Sequence, residues 1–195
     1  MILSSRFAEA LTYATELHAH QIRKGSGVPY IAHLLGVASL ALEYGATEDE
    51  AIAALLHDAI EDQGGQATRA EIYRRFGQTV TAIVDGCTDS DVTPKPPWRE
   101  RKEAYIAHIP KASASVRLVS AADKLYNARS MLRDYYRVGE ALWSRFKGGK
   151  SGSLWYYRTL VETFRQVEAT PIVEELDRVV QALEQLANNK PTGES

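Results

Sequence analysis

Cys87 is the sole cysteine of this 195-residue chain. One thiol excludes an internal disulfide and any cysteine-built zinc site, and leaves Cys87 the expected role of a small buried hydrophobe. Long apolar runs are missing too: no segment approaches the ~20 residues needed to cross a bilayer. The opening MILSSRFAEALTYATELHAH has neither the basic start nor the unbroken apolar stretch of an export signal, so the expectation is a cytoplasmic protein without a membrane partner. Excess charge of either sign is absent: 23 Lys and Arg against 25 Asp and Glu leave −2. No global basic field advertises nucleic acid, and an anionic ligand would need a local cluster of cations. Repeats, low-complexity blocks and sustained period-two alternation are lacking as well, which argues against solenoids, disordered chains and sheets.

What fills the chain is helical periodicity. Ser4 and Ser5 can cap a first helix carrying Phe7, Ala10, Leu11, Ala14 and Leu17 at three-and-four spacing. The glycines and proline of RKGSGVPY (23–30) end it. A second helix runs through IAHLLGVASLALEYG. Thr47 and Glu50 then form a Thr-x-x-Glu capping box for a third, which is expected to continue through ALLHDAIED to the stop at Gly64 and Gly65. Thr68 opens a fourth, interrupted at Gly77, and the proline-rich DSDVTPKPPWRER reads as a surface loop. Further helices are expected at 98–108, 113–132, 139–146, 154–167 and 171–186. The expected fold is all-α, one domain over residues 1–188 with a frayed tail at 189–195.

Within that scheme ALLHDAIEDQGG (54–65) is out of place. It starts as a greasy helix and then sets His57, Asp58, Glu61 and Asp62 within six positions. On a continuous helix these four share one side, opposite Leu55, Leu56, Ala59 and Ile60. Carboxylates so close repel unless a cation sits among them, and neutral imidazole with ionised carboxylate is a ligand set for a divalent metal. A solvated helix end is the bland alternative, but acidic residues are unfavourable at a helix C-terminus. His33, among apolar neighbours in YIAHLLGVA, and Asp123, inside VRLVSAADKLYNARS, are two more polar groups in apolar settings that need partners.

The order His33 … His57-Asp58 … Asp123 resembles the ligand pattern of the HD phosphohydrolase superfamily. QIRKG (21–25), PYIAH (29–33), ALLHDAIED (54–62), FGQTVTAIVDGCT (76–88), RERK (99–102) and VSAADKLYNARS (119–130) follow in the same order as motifs of RelA/SpoT-type alarmone hydrolases. The resemblance covers residues 7 to 132 and implies an HD-domain helical bundle, stand-alone because the chain is too short for the synthetase and regulatory domains of the long members.

The resemblance implies that His33, His57, Asp58 and Asp123 ligate one divalent ion, typically manganese, with Glu61 and Asp62 as the catalytic pair. The implied substrate is a small nucleotide, a purine bearing a 3′-pyrophosphate such as (p)ppGpp or (p)ppApp, cleaved to the 5′-nucleotide and pyrophosphate. Arg23 and Lys24 correspond to the base and ribose end, Arg99, Arg101 and Lys102 to phosphate contacts, and Asn127 to a nucleotide-facing group. Lys147, Lys150 and Arg158 in RFKGGKSGSLWYYR are further candidates, because the glycines there can expose backbone N–H groups to an anion. The chain departs from the family at Val28, Leu34, Gln63 and Tyr126, which leaves guanine and adenine both open. Other HD nucleotidases (5′-nucleotidase, dNTP hydrolase, NADPH 2′-phosphatase) and a non-catalytic alarmone-binding domain are the competing readings. The sequence carries no signal of oligomeric state.

Overall fold

The computed structural model describes residues 2–88, 94 and 96–189; most of the expected 89–97 loop and residues 190–195 lie outside the described residues. Helix α1 (Ser5–Leu17) is capped by the Ser4 hydroxyl, which accepts from the Arg6 amide. After the 23–28 turn, pinned by an isolated bridge between Ile22 and Pro29, come α2 (Ile31–Glu43) and α3 (Glu48–Leu56). The capping box at α3 forms as expected, with Thr47 and Glu50 each satisfying the other's backbone N–H.

The expected continuous helix through residue 62 does not form. Helix α3 stops at Leu56, His57 and Asp58 make a turn, and a short α4 (Ala59–Asp62) sets off anew. The four polar residues therefore do not share one helix face; a bend brings them together. Helix α5 (Gln66–Cys87) begins before Thr68, whose side chain is buried inside it, and consists of two helices joined at Gly77 (φ +85°). That φ is one that glycine adopts readily. Helix α6 (Trp98–His108) matches its expected range and runs into a 3₁₀ turn. Helix α7 (Ala114–Val138) extends beyond residue 132, and the 139–146 stretch is a 3₁₀ segment (Gly139–Arg145). Helix α8 (Gly149–Val167) starts a turn earlier than expected, so the glycine-rich stretch is partly helical, and α9 (Pro171–Asn188) follows.

Among the described residues there is no strand, and the all-α expectation holds. Helix α7 is the central element, touching α2, α3, α5, α8 and α9. Leu34, Leu55, Leu56, Leu125, Leu160, Phe164 and Leu176 are fully buried around it. Burying such side chains contributes roughly 1.5–3 kcal/mol each. Asp123, halfway along α7, is thereby fixed beside the α3–α4 bend and the start of α2. No described helix is long and apolar enough to cross a membrane.

Candidate active site

His33 enters from the first turn of α2, His57 and Asp58 from the bend, and Asp123 from α7. Asp58 Oδ2 lies 3.4 Å from His33 Nε2 and 3.1 Å from His57 Nε2. Asp123 Oδ1 lies 3.3 Å and 3.6 Å from the same two nitrogens. Both imidazoles are almost wholly buried. The donor set His33, His57 and Asp58 offers ligand atoms all within 4.8 Å of one another, and Asp123 lies outside that set but against both imidazoles.

The groups present fit a divalent cation. His57 Nδ1 lies 2.8 Å from the Ala54 carbonyl oxygen, so Nδ1 donates there and Nε2 is the nitrogen left to face a cation or a proton. That Nε2 is buried and has no aligned hydrogen-bond partner among the described residues, although two carboxylate oxygens sit close by. A lone pair facing carboxylates is repulsive until something positive lies between them. Burial pulls the His57 pKa down, but the charges and hydrogen bonds of Asp58 and Asp123 together hold the imidazole well above its ordinary value. Burial alone would raise both carboxyl groups, but His57 and His33 together hold Asp58, and Lys124 with the same two histidines holds Asp123, well below the usual carboxylate range. The pocket thus draws positive charge to its centre, a proton when metal-free and a metal ion otherwise.

Two residues missed in the sequence shape this centre. The Tyr30 hydroxyl donates to Asp58 Oδ2 at 2.6 Å, while its ring stacks on His18 and meets His33 edge-on. Lys124 pairs with Asp123 Oδ2 and sits over the Tyr105 ring, 4.8 Å from its centroid. Both neighbour quoted motif residues, but nothing local to the sequence shows which way they reach. Gln21 also orients an acid: its amide donates to Asp62 Oδ2 at 2.7 Å, and its carbonyl meets His18 Nδ1 and the Gln63 amide.

A cavity of about 580 Å³ opens on the cluster. His33, Asp58 and Asp123 line it together with Glu61 and Asp62, and so do Arg23, Lys24, Arg101, Lys102, Asn127 and Lys147. Arg133 and Arg145, unexpected from sequence, also line the wall, where both pair with Asp134 of the same lining. The local cationic cluster that the near-zero net charge demanded is present. Arg23 Nη2 donates to Asn127 Oδ1 at 2.8 Å, and Asn127 Nδ2 donates to Asp123 Oδ1 at 2.6 Å, a chain from cavity wall to cluster.

Lys150 and Arg158 are not among the lining residues. Lys150 bonds to Glu140 and to the Ala187 carbonyl. Arg158 grips Glu184 and the buried Asp177 of α9. These carboxylates take up the charge that the sequence reading had given to substrate. Arg99 is also outside the lining set, stacked 3.2 Å over Trp155 and paired with Glu103. His20 and His108 are exposed and belong to no cluster among the described residues.

Comparison with known proteins agrees with this arrangement. The family model "HD domain" matches residues 10–154. Guanosine-3′,5′-bis(diphosphate) 3′-pyrophosphohydrolase MESH1 of Xenopus tropicalis is 44% identical over 64% of this chain and 69% of its own length. The human MESH1 is 38% identical over 74% of this chain and 77% of its own. A solved metazoan ortholog of SpoT, described as hydrolysing ppGpp, superimposes with a TM-score of 0.73 at 27% identity, over 93% of this chain and 97% of that one. A bent HD cluster, a basic cavity and these likenesses lead to one conclusion: the chain belongs to the HD domain family, in the group of the small SpoT homologues.

Proposed function

We infer that the protein is a metal-dependent alarmone hydrolase that removes the 3′-pyrophosphate of guanosine-3′,5′-bis(diphosphate), leaving the 5′-nucleotide and pyrophosphate. The observation that carries this reading is the convergence, in one cavity of about 580 Å³, of the His/Asp cluster, the Glu61-Asp62 pair and a basic wall. The cavity size suits a nucleotide. Relatives bearing this activity in their names are 44% identical over 64% and 38% identical over 74% of this chain.

In this reading His33, His57, Asp58 and Asp123 hold one divalent ion, manganese. The ion supplies the positive charge that acidifies a water and draws electrons from phosphorus. Glu61 and Asp62 share the proton traffic: one proton leaves the water as its oxygen bonds to phosphorus, and one reaches the 3′ oxygen as the phosphorus–oxygen bond breaks. Gln21 fixes the rotamer of Asp62 for that task. Arg23, Lys24, Arg101, Lys102, Asn127 and Lys147 bind the anionic nucleotide, whose multiple phosphates need several fixed cations. Lys150 and Arg158 serve the packing of α8 on α9 instead. The location that goes with this substrate is the cytoplasm, with no nucleic-acid or membrane partner.

The test is incubation of purified protein plus manganese with ppGpp, ppApp, NADPH, dNMPs and dNTPs, followed by product separation. Release of pyrophosphate from ppGpp, abolished by EDTA, is the expected result. Glu61→Gln should retain one metal per chain and lose turnover by about 10²–10⁴-fold. Metal-loaded protein inert toward the alarmones, or active only on NADPH or deoxynucleotides, would overturn the assignment.

A further inference from the structure

The glycines of RFKGGKSGSLW call for an explanation of their own. An anion cradle is one use for such a stretch, but the structure fills the space above Gly148 and Gly152 with an indole ring. A Cβ added at Gly148 would lie 2.6 Å from Trp98 Cη2 and 2.7 Å from Cζ2; one added at Gly152 would lie 3.2 Å from the same ring. Gly148 has φ −79° and ψ −8°, a backbone conformation open to any residue, so its lack of a side chain is a matter of room for Trp98 and not of dihedral freedom.

Trp98 is the first residue of α6, and the attachment of that helix is thin. Tyr105 alone of its residues is buried, and its N-terminus has no side-chain cap. Tyr105 anchors the C-terminal half, donating to Ser120 Oγ at 2.9 Å. Trp98 anchors the first turn, edge-on to Trp155 and Tyr156 with ring centroids 6.3 Å away in each case. Between the two anchors lie Arg101 and Lys102, both on the cavity wall, with Lys102 Nζ 5.0 Å over the Tyr156 ring. The segment that receives Trp98 also carries Arg145 and Lys147, which line the same cavity.

We propose that Trp98, seated in the notch left by Gly148 and Gly152, is a positioning residue that clamps α6 to the 145–152 segment, so that the cations of both form one polyphosphate-binding wall. The proposal rests on the alarmone-hydrolase reading for its substrate, but the wall itself is testable without turnover. Long side chains such as Arg and Lys lose considerable rotamer entropy on binding, and a rigid base under them lowers that cost. Trp98 itself borders the cavity, and its packing is carried to the cationic wall through Arg101 and Lys102.

The test uses full-length wild type, Trp98→Ala, Trp98→Phe, Gly148→Ala and the Trp98→Ala/Gly148→Ala double variant. Each is titrated with inorganic pyrophosphate in metal-free buffer, and its manganese affinity and melting temperature are measured in parallel. Trp98→Ala should weaken pyrophosphate binding about tenfold, with manganese affinity unchanged. Trp98→Phe should fall between. Gly148→Ala should weaken binding in the wild-type background and add nothing to Trp98→Ala, since the methyl then meets no ring. For active protein, KM for the alarmone should rise in step while kcat moves little. Equal pyrophosphate affinity in wild type and folded Trp98→Ala, or absence of pyrophosphate binding by wild type, would overturn the clamp. Wild type that binds pyrophosphate but hydrolyses no alarmone would overturn the functional reading and leave the clamp standing. Additive losses in the double variant would also count against it.

Discussion

Replacing Gly36 by alanine is the sharpest steric test of the metal centre. Gly36 lies within α2, one turn after His33, and the Tyr126 ring rests on its bare backbone. A Cβ there would stand 1.9 Å from Tyr126 Cε2 and 2.4 Å from Cδ2. Ordinary carbon contacts are about 3.5–4.0 Å, so the ring must retreat by roughly 2 Å. It has little freedom to do so, because its hydroxyl donates to the Ala32 carbonyl at 3.2 Å and its face lies 5.2 Å from the His33 ring centroid. His33 is 1% exposed and cannot move outward.

Overpacking of this kind costs about 1–3 kcal/mol. Alanine in a helix interior returns about 1 kcal/mol relative to glycine. The net loss of fold stability is therefore small, about 0–2 kcal/mol. Ligand placement is less forgiving, since a functional constellation tolerates only about 0.5 Å. Disturbing a ligand's support typically lowers metal affinity 10–100-fold. At manganese one hundred times the wild-type Kd, binding stabilises wild type by about 2.7 kcal/mol; a thirtyfold weaker site yields about 1 kcal/mol. Melts with EDTA and with that manganese concentration read the difference directly. A Gly36→Ala protein showing the full wild-type metal shift would refute the argument, as would failure of Tyr126→Ala to restore the shift in the Gly36→Ala background.

Three further outcomes are expected. Tyr30→Phe keeps the ring stack on His18 but removes the donor to Asp58 Oδ2, so manganese affinity should drop about tenfold by direct titration, with secondary structure intact. Burial pushes the half-buried Cys87 thiol up to about 11, and the thiolate is the reactive form. Only about 10⁻³ of it is thiolate at pH 8, so alkylation of metal-free protein by iodoacetamide should be slow there and rise about tenfold per pH unit until pH 11; a fast reaction at pH 7 contradicts this. Arg158→Met should leave KM near the wild-type value while lowering the melting temperature, because it leaves the buried Asp177 to Arg165 and Gln181, removes the Glu184 ion pair and touches no cavity wall.

Features written within one or two turns of chain were legible in the sequence. The Ser4 cap, the Thr47–Glu50 box, the interruption at Gly77 and the span of α6 all depend on near neighbours. The break after Leu56 was not legible, for no glycine or proline marks it and Leu56-His57-Asp58-Ala59 would extend a helix readily. What holds the bend comes from elsewhere: Tyr30 reaches Asp58 from 28 residues away. Arg158 was misread for the same reason, since its partners Asp177 and Glu184 lie 19 and 26 residues downstream on α9. The glycines at 148 and 152 suggested backbone N–H groups open to an anion, whereas the group that approaches them is an indole ring arriving from residue 98, which sequence alone does not show.

The bend also resolves the electrostatic difficulty that drew notice to this stretch. Carried unbroken to residue 62, the helix would have set Asp58, Glu61 and Asp62 on its own C-terminal turns, where the macrodipole is already negative. Ending α3 at Leu56 removes them from that end and places Glu61 and Asp62 in α4, a single turn whose last residue is Asp62. The carboxyl end of α3 is left facing the His57-Asp58 turn, where a partial negative charge assists a cation instead of opposing an anion. The Ala54 carbonyl, one of the acceptors freed by stopping the helix, becomes the oxygen that receives the His57 Nδ1 proton and turns Nε2 toward the ligand point. One local irregularity thus sets which histidine nitrogen faces the ligand point and brings the acid pair to the cavity wall.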